Sequence, residues 1–105
     1  MSYQITFYIG LDKTHTLDRA SVRDSALYRL SHEFDGATYQ DTQGAWVSPS
    51  SGLIIEPGCT YTVIVEASPD RFHLRDIAYD LGRSYRQESV LYTVLKLEES
   101  EFVYA

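Results

Sequence analysis

Five polar residues, Arg83, Arg86, Gln87, Glu88 and Ser89, crowd the stretch that runs into "VLYTVLKL", and they are the types from which an anion site is built. Arginine presents a planar fork of donors that meets a phosphate or carboxylate through two parallel hydrogen bonds. Gln and Ser supply donors and acceptors suited to the edge of a heterocycle. Tyr92, just beyond, offers a ring to lie against a base, as do Tyr8 and Trp46 earlier in the chain. Lys13 and His15 closely follow the first apolar run and would add positive charge. Tyr8, Lys13, His15, Trp46, Arg83, Arg86, Gln87, Ser89 and Tyr92 therefore define a candidate binding site for a small anionic, nucleotide-like ligand. The plain alternative is a polar turn in which Glu88 pairs with an arginine.

Other chemistries find less support. His15, His32 and His73 are scattered and Cys59 stands alone, so no metal-ligand spacing is present. The loop "YIGLDKTH" holds a single glycine and none of the glycine-rich phosphate motifs. A lone cysteine in a strand-like run reads as a small buried hydrophobe, and Glu98, Glu99 and Glu101 read as a solvated charge run. No catalytic residue and no cofactor is assigned. A non-catalytic role is preferred; were the chain an enzyme, His15 or Glu88 would be its base.

These side chains must be held by elements that the hydrophobic period reveals. In residues 3–11, Tyr3, Ile5, Phe7 and Ile9 share one strand face, while Gln4, Thr6 and Tyr8 share the other. Thr16 or Asp18 is placed to cap a helix beginning near Arg19, whose apolar stripe is Val22, Ala26, Leu27, Leu30 and Phe34. Gly36 is expected to end it in the left-handed conformation. Residues 37–68 read as short extended runs, "ATYQ", "AWVS", "GLIIE" and "CTYTVIVEA", separated by turn chemistry in "DTQG", "PSSG" and "EPG". Ser68 as cap and Pro69 at the first helical position predict a second helix, with Leu74, Ile77, Ala78, Leu81 and Tyr85 on its buried face. A last strand follows from Val90.

Strand, helix, two or more strands, helix, strand is the order of an α+β, ferredoxin-like βαββαβ sandwich: two helices on one face of an antiparallel sheet, with an extended central hairpin between residues 37 and 58. The uncovered face would carry Tyr8, Thr60, Thr62, Ile64 and one parity of the last strand, or the reverse register. Such a face commonly pairs or binds a ligand, so a homo-oligomer, dimer or higher, is expected.

Composition sets the remaining bounds. At 105 residues the chain is a single domain, 1–105. A net charge of −6 disfavours direct nucleic-acid binding, since phosphate neutralisation needs a basic surface. Of the nine basic residues, all but Lys13 and Lys96 are arginine, which permits a local anion site in an acidic protein. The plain reading is that these arginines pair with neighbouring carboxylates along helix faces. The opening "MSYQITFYIG" has no basic n-region and no apolar h-region, no run approaches the length that crosses a bilayer, and one cysteine suits a reducing compartment. A cytoplasmic location without membrane contact is expected.

"TFYIGL" at 6–11, "FDGATYQDTQGAW" at 34–46 and "YRQESVLYTV" at 85–94 together resemble an uncharacterised family of small bacterial and bacteriophage proteins. The shared pattern is a first strand ending in Gly-Leu, a glycine-containing hairpin with an aromatic after its turn, and a Gln-x-Ser-Val entry into the last strand. The resemblance implies a ferredoxin-like fold and, for this chain, a phage or mobile-element origin; a phage-encoded chain would act in the host cytoplasm. It brings no established catalytic residues. Three readings follow: capture of a small anionic nucleotide-like ligand in a pocket between subunits, in counter-defence; inhibition of a host defence or nucleic-acid-binding protein by contact; and turnover of a nucleotide-like metabolite.

Overall fold

The computed structural model describes residues 2–12 and 16–105. Its elements follow the order β1 (Ser2–Gly10), α1 (Arg19–Phe34), β2 (Thr38–Ser48), β3 (Gly52–Val65), α2 (Arg71–Ser84) and β4 (Leu91–Leu97). The strands form one antiparallel sheet in the order β2-β3-β1-β4, the α+β ferredoxin-like arrangement. Both helices lie on one face, α1 over β3 and β2, α2 over β1 and β4. Lys13 and His15 lie outside the described residues.

The alternation in β1 is what builds the core. Ile5, Phe7 and Ile9 are buried beneath the helices with Tyr61 and Val63 of the neighbouring β3, and Leu30 of α1 and Leu74, Ile77 and Leu81 of α2 close over them. At about 25 cal/mol per Å² of apolar surface, this layer is the main favourable contribution to folding.

Of the two caps expected for α1, Asp18 is the one used, its carboxylate accepting from the Ser21 amide at 3.2 Å. Local chemistry departs from the sequence expectations at three points. Asp35, with φ of 63°, takes the left-handed position after α1, and Gly36 does not, because a short polar side chain also tolerates that conformation. The cap of α2 is Asp70, accepting from the Phe72 amide at 2.9 Å, so Ser68 and Pro69 precede the helix instead of opening it.

The third departure is the largest. The four short runs between residues 37 and 68 are two long strands, and "DTQG" and "EPG" lie inside their ladder, with Gln43 opposite Pro57 and Thr42 opposite Gly58. Pro57 accepts at 3.0 Å from the Leu11 amide on the β1 side. Its missing N–H points the same way, where β1 has ended, so the ladder to β2 loses nothing. Gly58 is required by close approach: a Cβ there would stand 2.9 Å from Thr42 Oγ1 and 3.1 Å from the Ile9 carbonyl oxygen. The hairpin projects past the helices and stretches the molecule to 49 Å along its longest axis.

Candidate functional site: the helix-to-strand junction

The polar cluster after α2 is held by a Schellman motif. The Arg86 amide donates to the Arg83 carbonyl at 3.2 Å and the Gln87 amide donates to the Gly82 carbonyl at 2.8 Å. Arg86 occupies the left-handed position, φ of 57°, that glycine usually fills. Gly82 suits this arrangement, since a Cβ there would sit 3.4 Å from both the Gln87 carbonyl oxygen and Val90. The chain can therefore turn tightly off the helix and run straight into β4.

That turn brings two loops together. The Gln87 side-chain amide donates to the Tyr85 carbonyl at 3.1 Å. Its other end faces Gly10 at the close of β1, 3.4 Å from where a Cβ would stand. The Arg86 guanidinium donates to Thr16 Oγ1 at 2.7 Å. The junction thus meets the loop after the first strand.

Against the junction lies a pocket of about 330 Å³, walled by Arg75, Tyr79 and Arg83 of α2 and by Gln87, Glu88, Ser89 and Tyr92 beyond it. This is near the lower end of ligand-pocket volumes, about 300–1,000 Å³. The Arg83 guanidinium stands over the Tyr79 ring, 5.8 Å from its centroid. Among the described residues, neither Arg75 nor Arg83 has a carboxylate within ion-pair distance. Arg23 and Arg29 do pair, with Asp24 at 3.0 Å, and with Glu33 at 3.0 Å and Asp80 at 2.6 Å, as surface charges commonly do. Among the described residues the pocket offers two guanidinium groups outside any ion pair, one of them over a phenol ring, an arrangement suited to an anion with an attached ring even with the Glu88 carboxylate in the same wall.

Of the residues expected at the site, Arg83, Gln87, Ser89 and Tyr92 line this one pocket, and Arg86 anchors the turn beside it. Tyr8 does not join them. It sits on the sheet's other face, opposite Thr60 and Leu91, because adjacent residues in a strand point to opposite sides. Trp46 lies on β2, the edge strand farthest from β4, and its indole N–H donates to Glu56 Oε1 at 3.2 Å. Arg75 and Tyr79 went unrecognised in the sequence. Their signal was available, since they precede Arg83 at a spacing of four and so lie along one stripe of α2.

A second polar group lies in the core and is unsuited to nucleophilic chemistry. The Tyr61 and Tyr85 hydroxyls hydrogen bond to each other, and the Tyr39 hydroxyl donates to Asp41 at 2.6 Å. Burial pushes the Cys59 thiol up to about 11 and the Tyr61 and Tyr85 phenols upward too, so all three stay protonated near neutrality.

No protein family and no curated relative matches the sequence. Solved structures share its shape. A phage SAM lyase in complex with S-methyl-5'-thioadenosine is 19% identical over 90% of this chain and 81% of its own, with a TM-score of 0.61. The same kind of protein in its apo state is 17% identical over 89% and 78%, with a TM-score of 0.58. A DUF3240 family protein from Shewanella baltica is 12% identical over 97% of both chains, with a TM-score of 0.53. At these identities the likeness is one of fold, and any activity must be argued from this chain's own residues. No described helix is long and apolar enough to cross a membrane.

Proposed function

We propose that this chain binds a small anionic, nucleotide-like ligand in the junction pocket, without turning it over, as a counter-defence protein of phage origin acting in the host cytoplasm. The observation that carries the reading is the pair of arginines, Arg75 and Arg83, with no ion-pair partner among the described residues, set beside Tyr79 and Tyr92 in one pocket that Glu88 also lines. The guanidinium groups meet the ligand's phosphate or carboxylate. The phenol rings flank its base, where stacking contributes about 1–3 kcal/mol. Gln87 and Ser89 read the heterocycle edge. A phage protein of the same fold, solved with an adenosine thioether bound, supports a nucleoside-type ligand.

Isothermal titration with adenosine and AMP tests this. AMP should bind more tightly than adenosine, and Arg83→Ala should weaken AMP binding about 10–100-fold, the loss expected for a hydrogen bond to a charged group. No AMP binding, or equal binding by the variant, would sink it. The name of that phage neighbour favours one second reading, an enzyme acting on a nucleoside sulfonium. Incubation with S-adenosylmethionine separates the two: released S-methyl-5'-thioadenosine, followed by mass spectrometry, would replace capture with turnover.

A further inference from the structure

The strand register aligns four threonines in a row straight across the sheet: Thr38 of β2, Thr62 of β3, Thr6 of β1 and Thr93 of β4. They lie on the face that neither helix covers. The Thr6 and Thr62 hydroxyls are 3.3 Å apart and hydrogen bond to each other. Thr6 is nevertheless only 7% exposed, because taller side chains rise on both sides of the row. Ile64 and Leu95 stand on one side, Tyr8 and Leu91 on the other, all between 42% and 61% exposed. Gln4 stands between Ile64 and Leu95 in the one ridge, and Thr60 and Gln40 continue the other beyond Tyr8, so the face is a trough with a hydroxyl floor between two uncharged ridges that are apolar toward β4.

We infer that this trough is a self-association surface and that its occupant is a second copy of the chain. Charge is the first argument. Charged residues make up 23% of the chain and its net charge is −6, yet the threonine row and the rows on either side of it hold none. Two acidic copies repel elsewhere, and here nothing holds them apart; a strongly charged partner would find no complement.

Relief is the second argument. Ridge and trough are two residues apart, about 7 Å along a strand, so a two-fold axis lying between the two faces, parallel to the threonine row and midway between it and one ridge, seats that ridge of each copy over the other's trough at the ~10 Å spacing of packed sheets. Area is the third. Four strands about 4.8 Å apart and about 30 Å long give a projected face near 600 Å², of the order of the ~800 Å² that each partner of a stable pair buries. The floor's central hydroxyls already hydrogen bond to each other within the chain, which lowers the cost of covering them.

Sedimentation equilibrium of the intact chain is the test, with Leu95→Glu and Thr93→Lys on the ridge and floor and Phe72→Glu on the outer side of α2 as the control. Both target positions are exposed on an edge strand, so each monomer should keep the wild-type circular dichroism spectrum. The wild type should associate at micromolar concentration, both sheet variants should weaken association at least tenfold, and Phe72→Glu should leave it unchanged. A monomeric wild type, unaffected sheet variants, or an equal loss in Phe72→Glu would each overturn the inference. Should Leu95→Glu fail to fold, Thr93→Lys alone decides.

Discussion

Neighbouring residues of the same strands meet opposite fates on the two faces of the sheet. In β1 and β3, Ile5, Phe7, Tyr61 and Val63 are no more than 1% exposed, whereas Tyr8 and Ile64 on the other face are 42% exposed. The residue types on the two faces overlap, so apolar character alone does not explain the difference. It arises because only one face has a helix layer to close over it, and the same contrast recurs along the sheet. Where the hairpin runs beyond the helices, Val47, Leu53 and Ile55 share the covered face's parity and are still 61–74% exposed. Burial in this fold is set by the second layer.

The strongest way to break that contrast is to apply one substitution on both faces. Ile5→Ala removes buried methylenes and leaves a cavity that the surrounding core only partly fills, at a cost of about 2–5 kcal/mol. Ile64→Ala at the uncovered face should cost about 1 kcal/mol or less in a dilute sample. Urea denaturation of the two variants measures both, and equal losses would erase the distinction between the faces.

A smaller effect separates the faces by pH. The thiol and phenols of the covered core hold their protons more tightly than in an unfolded chain: Cys59 is pushed from 9.0 to about 11 by burial, and Tyr39, Tyr61 and Tyr85 are shifted in the same direction, also chiefly by burial. A raised folded-state value stabilises fully below the unfolded value, and that contribution is lost as pH climbs through the folded one. Stability should therefore hold to about pH 9 and fall toward pH 11. The Cys59 share is on the order of 1–2 kcal/mol, about 5–10 °C in Tm. Thermal melts across that range check it, and Cys59→Ala should flatten the decline. A melting temperature unchanged from pH 9 to 11 would mean that the core opens to water.

Much of this contrast was legible in the sequence. Period-two alternation in "YQITFYIGL" by itself separates the two faces of β1, and the stripe from Leu74 to Tyr85 marks the buried side of α2. The long strands were not legible, because Gly44, Pro57 and Gly58 carry a local turn signal that only pairing with a distant strand overrides. Nor was the threonine row, which exists only once three registers are fixed together. For the pocket, position in the chain pointed to Gln87, Ser89 and Tyr92, while Arg75 and Tyr79 needed the docking of α2 to be placed beside them. The left-handed Arg86 was hidden too, since arginine gives no hint of that conformation.

Arg86 supplies the smallest of these effects, and its near-cancellation is the informative part. It stands where the covered layer hands over to β4, and a side chain in the left-handed region costs about 1–2 kcal/mol that glycine does not incur. Arg86→Gly relieves that strain. It also loses the exposed hydrogen bond to Thr16, worth about 0.5–1 kcal/mol, and adds a comparable unfolded-state entropy. Gain and losses nearly cancel, so the variant should melt within about 1 kcal/mol of wild type, on the stable side if relief of strain outweighs the two losses. A loss well beyond that, read by differential scanning calorimetry, would show that the Thr16 tie holds the two loops together more firmly than an exposed bond should. The junction would then owe its shape to that tie more than to the turn that ends α2.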